Sequence, residues 1–200
     1  MLNQSEKTLI KQLQQGDRQA FSTVVGCYQD MVYNTAISIV QNEEDAADIT
    51  QDVFVQVFQS VGSFKGDAKF STWLYRIVIA KALDHEKRKK RKKRFGFIQS
   101  LYTEKGEAKY HPEEFNHPGI QLENKEKAGE LFKALKQIPA NQRIAFMLNK
   151  IEGLNNQEIA VIMNTSFYAV ESLLARAKNN LKKSLKKYYL QSAKQSSHEK

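Results

Sequence analysis

Three aspartates in the N-terminal half of the chain are spaced to lie on one side of a helix. Asp45, Asp48 and Asp52 stand at positions i, i+3 and i+7, with Gln51 and Gln56 beside them. Their carboxylates and the neighbouring amides suit hydrogen bonding to a basic partner helix. Distance excludes one shared metal ion, because Asp45 and Asp52 lie about 10 Å apart along a helix axis. A solvated face without a partner remains the alternative.

Positive charge is concentrated in two blocks of the sequence. The run Lys87 to Arg94 contributes +8 and the segment Lys178 to Lys200 contributes +6, which leaves −5 for the rest of a chain whose net charge is +9. Segregated cations indicate two places where a polyanion is bound, since each neutralised phosphate releases counterions. Solvated faces, or a localisation signal in the case of the run, remain alternatives.

A third pattern, "LNNQEIAVIMNTSFYAVESLLARAK", predicts a helix-turn-helix. A first helix from Asn156 to Met163 places the small Ala160 where two helices cross closely. The turn "NTS" follows, and Ser166 can cap the second helix. An ordinary helical hairpin is the alternative. The side chains left on the outside of the second helix are Phe167, Tyr168, Glu171, Ser172, Ala175, Arg176 and Lys178.

Apolar residues recur at helical spacing along most of the chain, with no sustained strand-type alternation. Gly16 and Asp17 separate two helices, and Ser71 or Thr72 can cap another after the loop "GSFKGDAKF". Phe58 falls on the apolar side of the helix that carries the aspartates. Helical period returns with Leu122 and, further on, stops at a proline, Pro139.

The sequence therefore predicts an all-α protein of two small helical domains joined by a flexible linker, the second containing the helix-turn-helix. We place the first domain at residues 5–94, the linker at 95–124, the second domain at 125–188 and a frayed polar tail at 189–200.

Composition narrows the function classes. With 41% hydrophobic and 26% charged residues the chain should fold, and it has neither an apolar run long enough to span a membrane nor a signal peptide. We expect a cytoplasmic protein without membrane insertion. The single cysteine, Cys27, excludes an internal disulfide and a thiolate cluster, and we expect it to be a buried helical residue. The histidines are scattered and no phosphate-binding glycine loop is present, so we expect no catalytic residue, metal or cofactor.

Two segments resemble the RNA polymerase sigma factors of the extracytoplasmic-function type, within the sigma-70 family. "DAADITQDVFVQVFQSVGSFKGDAKFSTWLYRIVIAKALDHEKR" looks like their N-terminal domain. "ALKQIPANQRIAFMLNKIEGLNNQEIAVIMNTSFYAVESLLARAKNNLKK" looks like their promoter-binding C-terminal domain. The two stand in the family's order, and together with "AFSTVVGCY" the likeness covers about residues 17–188.

The resemblance implies three sets of binding residues. Those for the polymerase core are Asp45, Asp48, Gln51, Asp52 and Gln56. Those that recognise and open the minus-ten element, by aromatic stacking and cationic contacts, are Phe64, Lys65, Lys69, Phe70, Arg76, Lys81 and Arg88. Those of the helix-turn-helix, which would read the minus-thirty-five element, are Ser166, Phe167, Tyr168, Glu171, Ser172, Arg176 and Lys178.

Four details qualify these sets. Lys81 stands where the family commonly has Asn, so we expect a phosphate contact there. Asp84 is four residues from Arg88 and should orient it. Trp73 is expected in the core rather than in a stacking platform. Glu171 stands where a cation is commoner; it can accept a hydrogen bond from cytosine but repels phosphate.

The implied partners are core RNA polymerase, promoter DNA and an anti-sigma factor. One alternative is an autonomous helix-turn-helix regulator that retains a sigma-like N-terminal half. Another is an all-α enzyme that processes nucleic acid, although no residue pattern in the chain predicts such turnover.

Overall fold

Eight α-helices make up most of the described chain, which is seen here as a computed structural model. The structure describes residues 4–102 and 125–196, and the side chains of residues 5–92, 94 and 129–186. No strand occurs within these ranges, so the predicted all-α class is confirmed. The chain divides into two compact units, Met1–Phe115 and Asn116–Lys200. Leu122, most of the expected linker and the last four residues of the tail lie outside the described residues.

The first unit contains α1 (Gln4–Gln14), α2 (Arg18–Val40), α3 (Glu43–Ser60) and α4 (Phe70–Tyr102). Asp17 caps α2 as expected, its carboxylate accepting from the backbone amides of Gln19 at 2.7 Å and Ala20 at 3.2 Å. Asn42 caps α3 in the same way, after Gln41 has turned the chain with a left-handed conformation (φ 53°). The short corner at Gln41 and Asn42 folds α3 back against α2.

Helices α2, α3 and α4 pack on one another around a shared core, and α1 covers α2. Each large side chain buried there contributes about 1.5–3 kcal/mol, so the core holds three long helices in register. The completely buried side chains of this core include Val24, Val32, Ile37, Val53, Val57, Phe70, Leu74 and Val78.

Several expectations for the first unit need correction. Helix α4 begins at Phe70, so Ser71 and Thr72 lie inside its first turn rather than capping it. Cys27 is exposed, because the buried stripe of α2 runs through Val24 and Val32 and passes it by. Phe58 is 50% exposed, and its ring contacts that of Phe21 edge to face.

Helix α4 also continues to Tyr102, eight residues into the segment expected to link the domains. The basic run consists of good helix formers, and one glycine in a helix costs only about 1 kcal/mol, so no residue there forces an end.

The second unit contains α5 (Lys125–Gln137), α6 (Ala140–Lys150), α7 (Asn156–Ile162) and α8 (Phe167–Ser196). Pro139 separates α5 from α6, as expected. Asn155 begins α7 with a capping box shared with Glu158. Helices α5, α6 and α7 all pack against α8, which extends through most of the expected tail. Completely buried side chains here include Leu135, Ile159, Val170 and Ala177.

One polar pair joins two helices inside the second unit. The amide nitrogen of Asn180 on α8 donates to the amide oxygen of Gln142 on α6 at 2.9 Å. Gln142 is buried, so this bond satisfies an oxygen that would otherwise lack a partner in the interior. The bond favours one position of α6 along α8.

No helix among the described residues is both long and apolar enough to cross a membrane.

Candidate polymerase- and DNA-binding surfaces

The acidic side of α3 is divided between solvent and the protein's own α4. Asp48, Gln51 and Asp52 are exposed, while Gln56 is half-buried. The side chain of Asp45 is only 18% exposed, because it turns towards α4. The sequence therefore places these residues correctly on one helix but does not reveal that Asp45 faces a neighbouring helix.

Three cross-helix contacts account for this arrangement. Asp45 accepts from Lys89 and lies 3.1 Å from His85 Nε2, and Asp52 lies 3.7 Å from Lys81 Nζ. Asp52 follows Asp45 in α3 while Lys81 precedes Lys89 in α4, so the two helices run antiparallel. A basic partner helix for the aspartates is thus already present within the unit.

The outward stripe of α3 continues from polar into apolar residues. Asp48, Gln51, Val55 and Phe58 follow one another at i, i+3, i+7 and i+10, and all four are exposed. Val55 was not among the expected site residues, although its spacing from Asp48 is a signal that could have placed it there. The stripe offers a carboxylate and an amide at one end and bare apolar surface at the other.

An aromatic cluster lies where the loop after α3 meets the start of α4. The Phe64 ring centroid is 5.4 Å from that of Phe70 and 5.5 Å from that of Trp73, and Tyr28 contacts Phe70 edge-on. Phe70, expected among the DNA contacts, is completely buried at the centre of this cluster. Phe64 and Trp73 are half-buried, so both belong to the cluster and also reach solvent.

Helix α1 secures this loop through one side chain. The amide nitrogen of Gln14 donates to the carbonyl oxygens of Val61 and Phe64, both at 3.0 Å. The two acceptors lie on either side of the turn that carries the chain from α3 towards Phe64. Gln14 therefore fixes the position from which Phe64 reaches the surface.

Burial raises the pKa of Tyr28 well above its usual range, and its hydrogen bond to Glu6 (2.9 Å) adds to the effect. Burial likewise raises the pKa of Tyr33, with a smaller contribution from the charge of Glu43. Both hydroxyls therefore stay protonated near neutral pH, and Tyr28 joins α1 to α2 as a neutral donor.

The expected cations of the minus-ten set are mostly exposed. Lys65, Lys69, Arg76 and Arg88 are exposed, whereas Lys81 is half-buried beside Asp52.

The expected pairing of Asp84 with Arg88 is wrong. Asp84 lies 3.4 Å from Lys87 Nζ, one helical turn away. The two partner positions, i+3 and i+4, differ by only one residue, and both are exposed side chains that sequence spacing cannot distinguish.

The basic run forms the exposed continuation of the same helix. Lys90, Arg91, Lys92 and Arg94 are exposed on α4, and Lys89 pairs with Asp45 of α3. One continuous helix thus carries the aromatic cluster at its start and a dense row of cations further along.

In the second unit, α7 and α8 have the expected helix-turn-helix arrangement. Asn164 (φ 50°) provides the left-handed turn residue, and the Ser166 hydroxyl accepts from the Ala169 amide at 3.1 Å, as predicted for a cap. Ile159, Ala160, Val170 and Ala177 are buried between the helices. The exposed side chains of α8 and its cap include every member of the expected set: Ser166, Phe167, Tyr168, Glu171, Ser172, Arg176 and Lys178.

Among the described residues, no three His, Cys, Asp or Glu side chains come together in a way that could hold a metal ion.

Two family models match the chain, one in each of its two compact units. Residues 24–92 match sigma-70 region 2, and residues 128–181 match sigma-70 region 4. The first match covers most of α2, all of α3 and α4 as far as Lys92, and the second contains the helix-turn-helix.

Similar proteins match along nearly the whole chain. The RNA polymerase sigma-H factor of Pseudomonas aeruginosa is 27% identical over 185 residues, covering 92% of this chain and 96% of its own length. The ECF RNA polymerase sigma-E factor of Escherichia coli K12 is 28% identical over 174 residues, covering 87% of this chain and 91% of its own.

Two solved structures share the fold. CnrH, in complex with the cytosolic domain of CnrY, has a TM-score of 0.63 and 23% identity, over 90% of this chain and 96% of its own. The sigma factor RpoE of Bartonella quintana, in complex with the anti-sigma factor NepR, has a TM-score of 0.57 and 22% identity, over 83% of this chain and 96% of its own. With both regions present in order, the chain belongs to the sigma-70 family of RNA polymerase sigma factors, in its extracytoplasmic-function group.

Proposed function

We propose that this chain binds the core of bacterial RNA polymerase, directs it to particular promoters and helps to open them. The observation that carries the proposal is the succession of region 2 and region 4 matches over two helical units, each presenting an exposed surface of suitable chemistry. The autonomous regulator is not favoured, because the similar proteins are sigma factors along about nine-tenths of the chain.

Core binding is assigned to the exposed part of α3. Asp48, Gln51 and Asp52 offer carboxylates and amides to solvent, and Gln56 borders them. We do not assign Asp45 to this surface, because its carboxylate contacts His85 and Lys89 of α4. Its proposed role is to hold α3 against α4.

Promoter opening is assigned to the aromatic cluster and the cations around it. Phe64 reaches solvent and can stack on an unpaired base, while the buried Phe70 holds it in place. Lys65, Lys69, Arg76 and Arg88 would contact phosphates, and Lys81 would do so only by leaving Asp52. The helix-turn-helix would read the upstream element through the exposed face of α8.

Three further expectations follow from membership in the family. Sigma factors are generally not enzymes, and we propose that this chain has no catalytic activity of its own. We place it in the cytoplasm, where polymerase and promoter meet. By likeness to RpoE with NepR, we also propose an anti-sigma factor as a third partner.

Run-off transcription with purified core polymerase is the direct test of function. Addition of the chain should produce start sites that core alone does not use, and their absence would overturn the proposal. Reversing the charge of Asp48 and Asp52 together to arginine should reduce co-purification with core at least tenfold. Asp30→Arg, an exposed reversal on α2, serves as the matched control and should leave co-purification unchanged.

A further inference from the structure

We propose that Phe167 and Tyr168 recognise the methyl groups of thymines in the major groove of the upstream promoter element. The proposal rests on the proposed function, and it assigns a particular ligand chemistry to the start of α8.

The two rings are placed at the surface by ordered local structure. Tyr168 is 78% exposed and Phe167 is 40% exposed, and their rings contact edge to face with centroids 5.9 Å apart. Ser166 caps the helix directly before them, and the buried Val170 anchors the same turn to the core of the unit. The rings therefore have a fixed base from which to contact a ligand.

The charge distribution along α8 separates its start from its middle. Residues 166–175 contain no lysine or arginine, and their single charge is the exposed Glu171. The first cations, Arg176 and Lys178, lie at least eight residues beyond Tyr168, or about 12 Å along the axis. The start of the helix thus has no basic side chain for phosphates, whereas its middle has Arg176 and Lys178.

This division fits a helix whose first residues reach base edges in the groove while later residues contact the backbone. Among the base edges of the major groove, only thymine presents an apolar group, its C5-methyl. Aromatic ring edges can cover that methyl and exclude water from it. The nearby Glu171 adds a reason to favour bases over phosphates, because its carboxylate repels the backbone.

The test uses promoters mapped with the transcribing holoenzyme. Each thymine of the upstream element, on either strand, is replaced singly by deoxyuridine, which removes the methyl and nothing else. Binding of the holoenzyme to each duplex is measured at one fixed salt concentration. The proteins compared are the natural chain, Tyr168→Ala, Phe167→Ala, Tyr168→Phe and a control, Gln137→Ala, exposed at the end of α5.

For the natural chain and the control, we expect affinity to fall about fourfold at one or two positions. Tyr168→Ala or Phe167→Ala should lose a similar factor on thymine and then be insensitive to deoxyuridine at the same position. Tyr168→Phe, which keeps the ring, should behave like the natural chain.

An upstream element without thymine, or indifference of the natural chain to every replacement, would overturn the proposal. So would an equal loss for Tyr168→Phe and Tyr168→Ala, which would assign the contact to the hydroxyl. Because the series is run on a holoenzyme that transcribes, each of these results leaves the sigma-factor function standing. Failure of transcription itself would instead refute that function.

Discussion

The carboxylate of Asp45 on α3 forms an ion pair with the ammonium group of Lys89 on α4, 44 residues further along the chain. The contact joins the helix proposed to bind polymerase to the helix proposed to hold promoter DNA. It also distinguishes Asp45 from Asp48, its neighbour one turn away, whose side chain is exposed.

Exchanging each of these aspartates for asparagine should therefore affect different properties. Asp45→Asn should lower the free energy of unfolding of the first unit by about 1 kcal/mol, because Lys89 and His85 lose a partly buried partner. Asp48→Asn should change stability by less than about 0.5 kcal/mol and weaken core binding instead. Urea unfolding followed by the fluorescence of Trp73, the only tryptophan, reports on this unit. Equal stability of the two variants would contradict the role given to Asp45.

The salt dependence of promoter binding should reveal which cations of the basic run bind phosphate. Exchanging Lys90, Arg91 or Lys92 for glutamine should make the negative slope of log affinity against log salt less steep, on all promoter sequences alike. The magnitude of the slope should decrease by up to about 0.9 for each phosphate that is no longer neutralised. Lys89→Gln should reduce it less, because Lys89 already pairs with Asp45. A change in sequence preference would show that the run reads bases, contrary to our expectation.

Gln14 should affect promoter opening although it lies on α1. Gln14→Ala and Gln14→Glu both remove the amide donor that holds the carbonyls of Val61 and Phe64, so Phe64 loses its fixed position. Permanganate reactivity of unpaired thymines in the open complex should fall several-fold for both variants, while core binding is retained. Gln15→Ala, exposed next to it, is the control. Normal opening with Gln14→Glu would argue against the donor role.

Two adjacent asparagines of α8 allow a matched test in the second unit. Asn180→Ala should destabilise this unit by about 1–2 kcal/mol, because the buried oxygen of Gln142 loses its donor. Asn179→Ala, at an exposed position, should change stability by less than about 0.5 kcal/mol. Hydrogen exchange of the α6 and α8 amides measures the difference. Similar protection in both variants would show that the amide pair contributes little.

Alkaline pH should weaken the first unit in a way that depends on Tyr28. Its pKa is raised in the folded state by burial and by Glu6, whereas in the unfolded chain it is about 10. The unfolded chain therefore loses the phenolic proton first, and stability falls as pH rises above about 10. Tyr28→Phe should show a shallower decline there than the natural chain. The fluorescence of Trp73, recorded during unfolding between pH 8 and 11, tests this, and identical slopes would contradict it.

Sequence reasoning reached those parts of the molecule that depend on local chemistry. The caps at Asp17 and Ser166 and the exposed set on α8 follow from residue types at fixed offsets, which is why they agree with the structure. Two of its misses depend on neighbours distant in sequence. The burial of Phe70 and the pairing of Asp45 are set by helices that pack from elsewhere, and periodicity within one helix contains no information about them.

Helix α4 contacts the aspartates of α3 through Lys81, His85 and Lys89, which recur every four residues along one side of a single continuous helix. Adding one residue between Lys81 and His85 would leave Lys81 beside Asp52 but would turn everything after it by about 100°. Lys89 would then point away from Asp45, and the cations beyond it would face a different direction. The number of residues between Lys81 and Lys89 thus sets the direction in which the positive charge points, so the domain should tolerate changes of residue type on the exposed side of α4 far better than changes in the length of the helix.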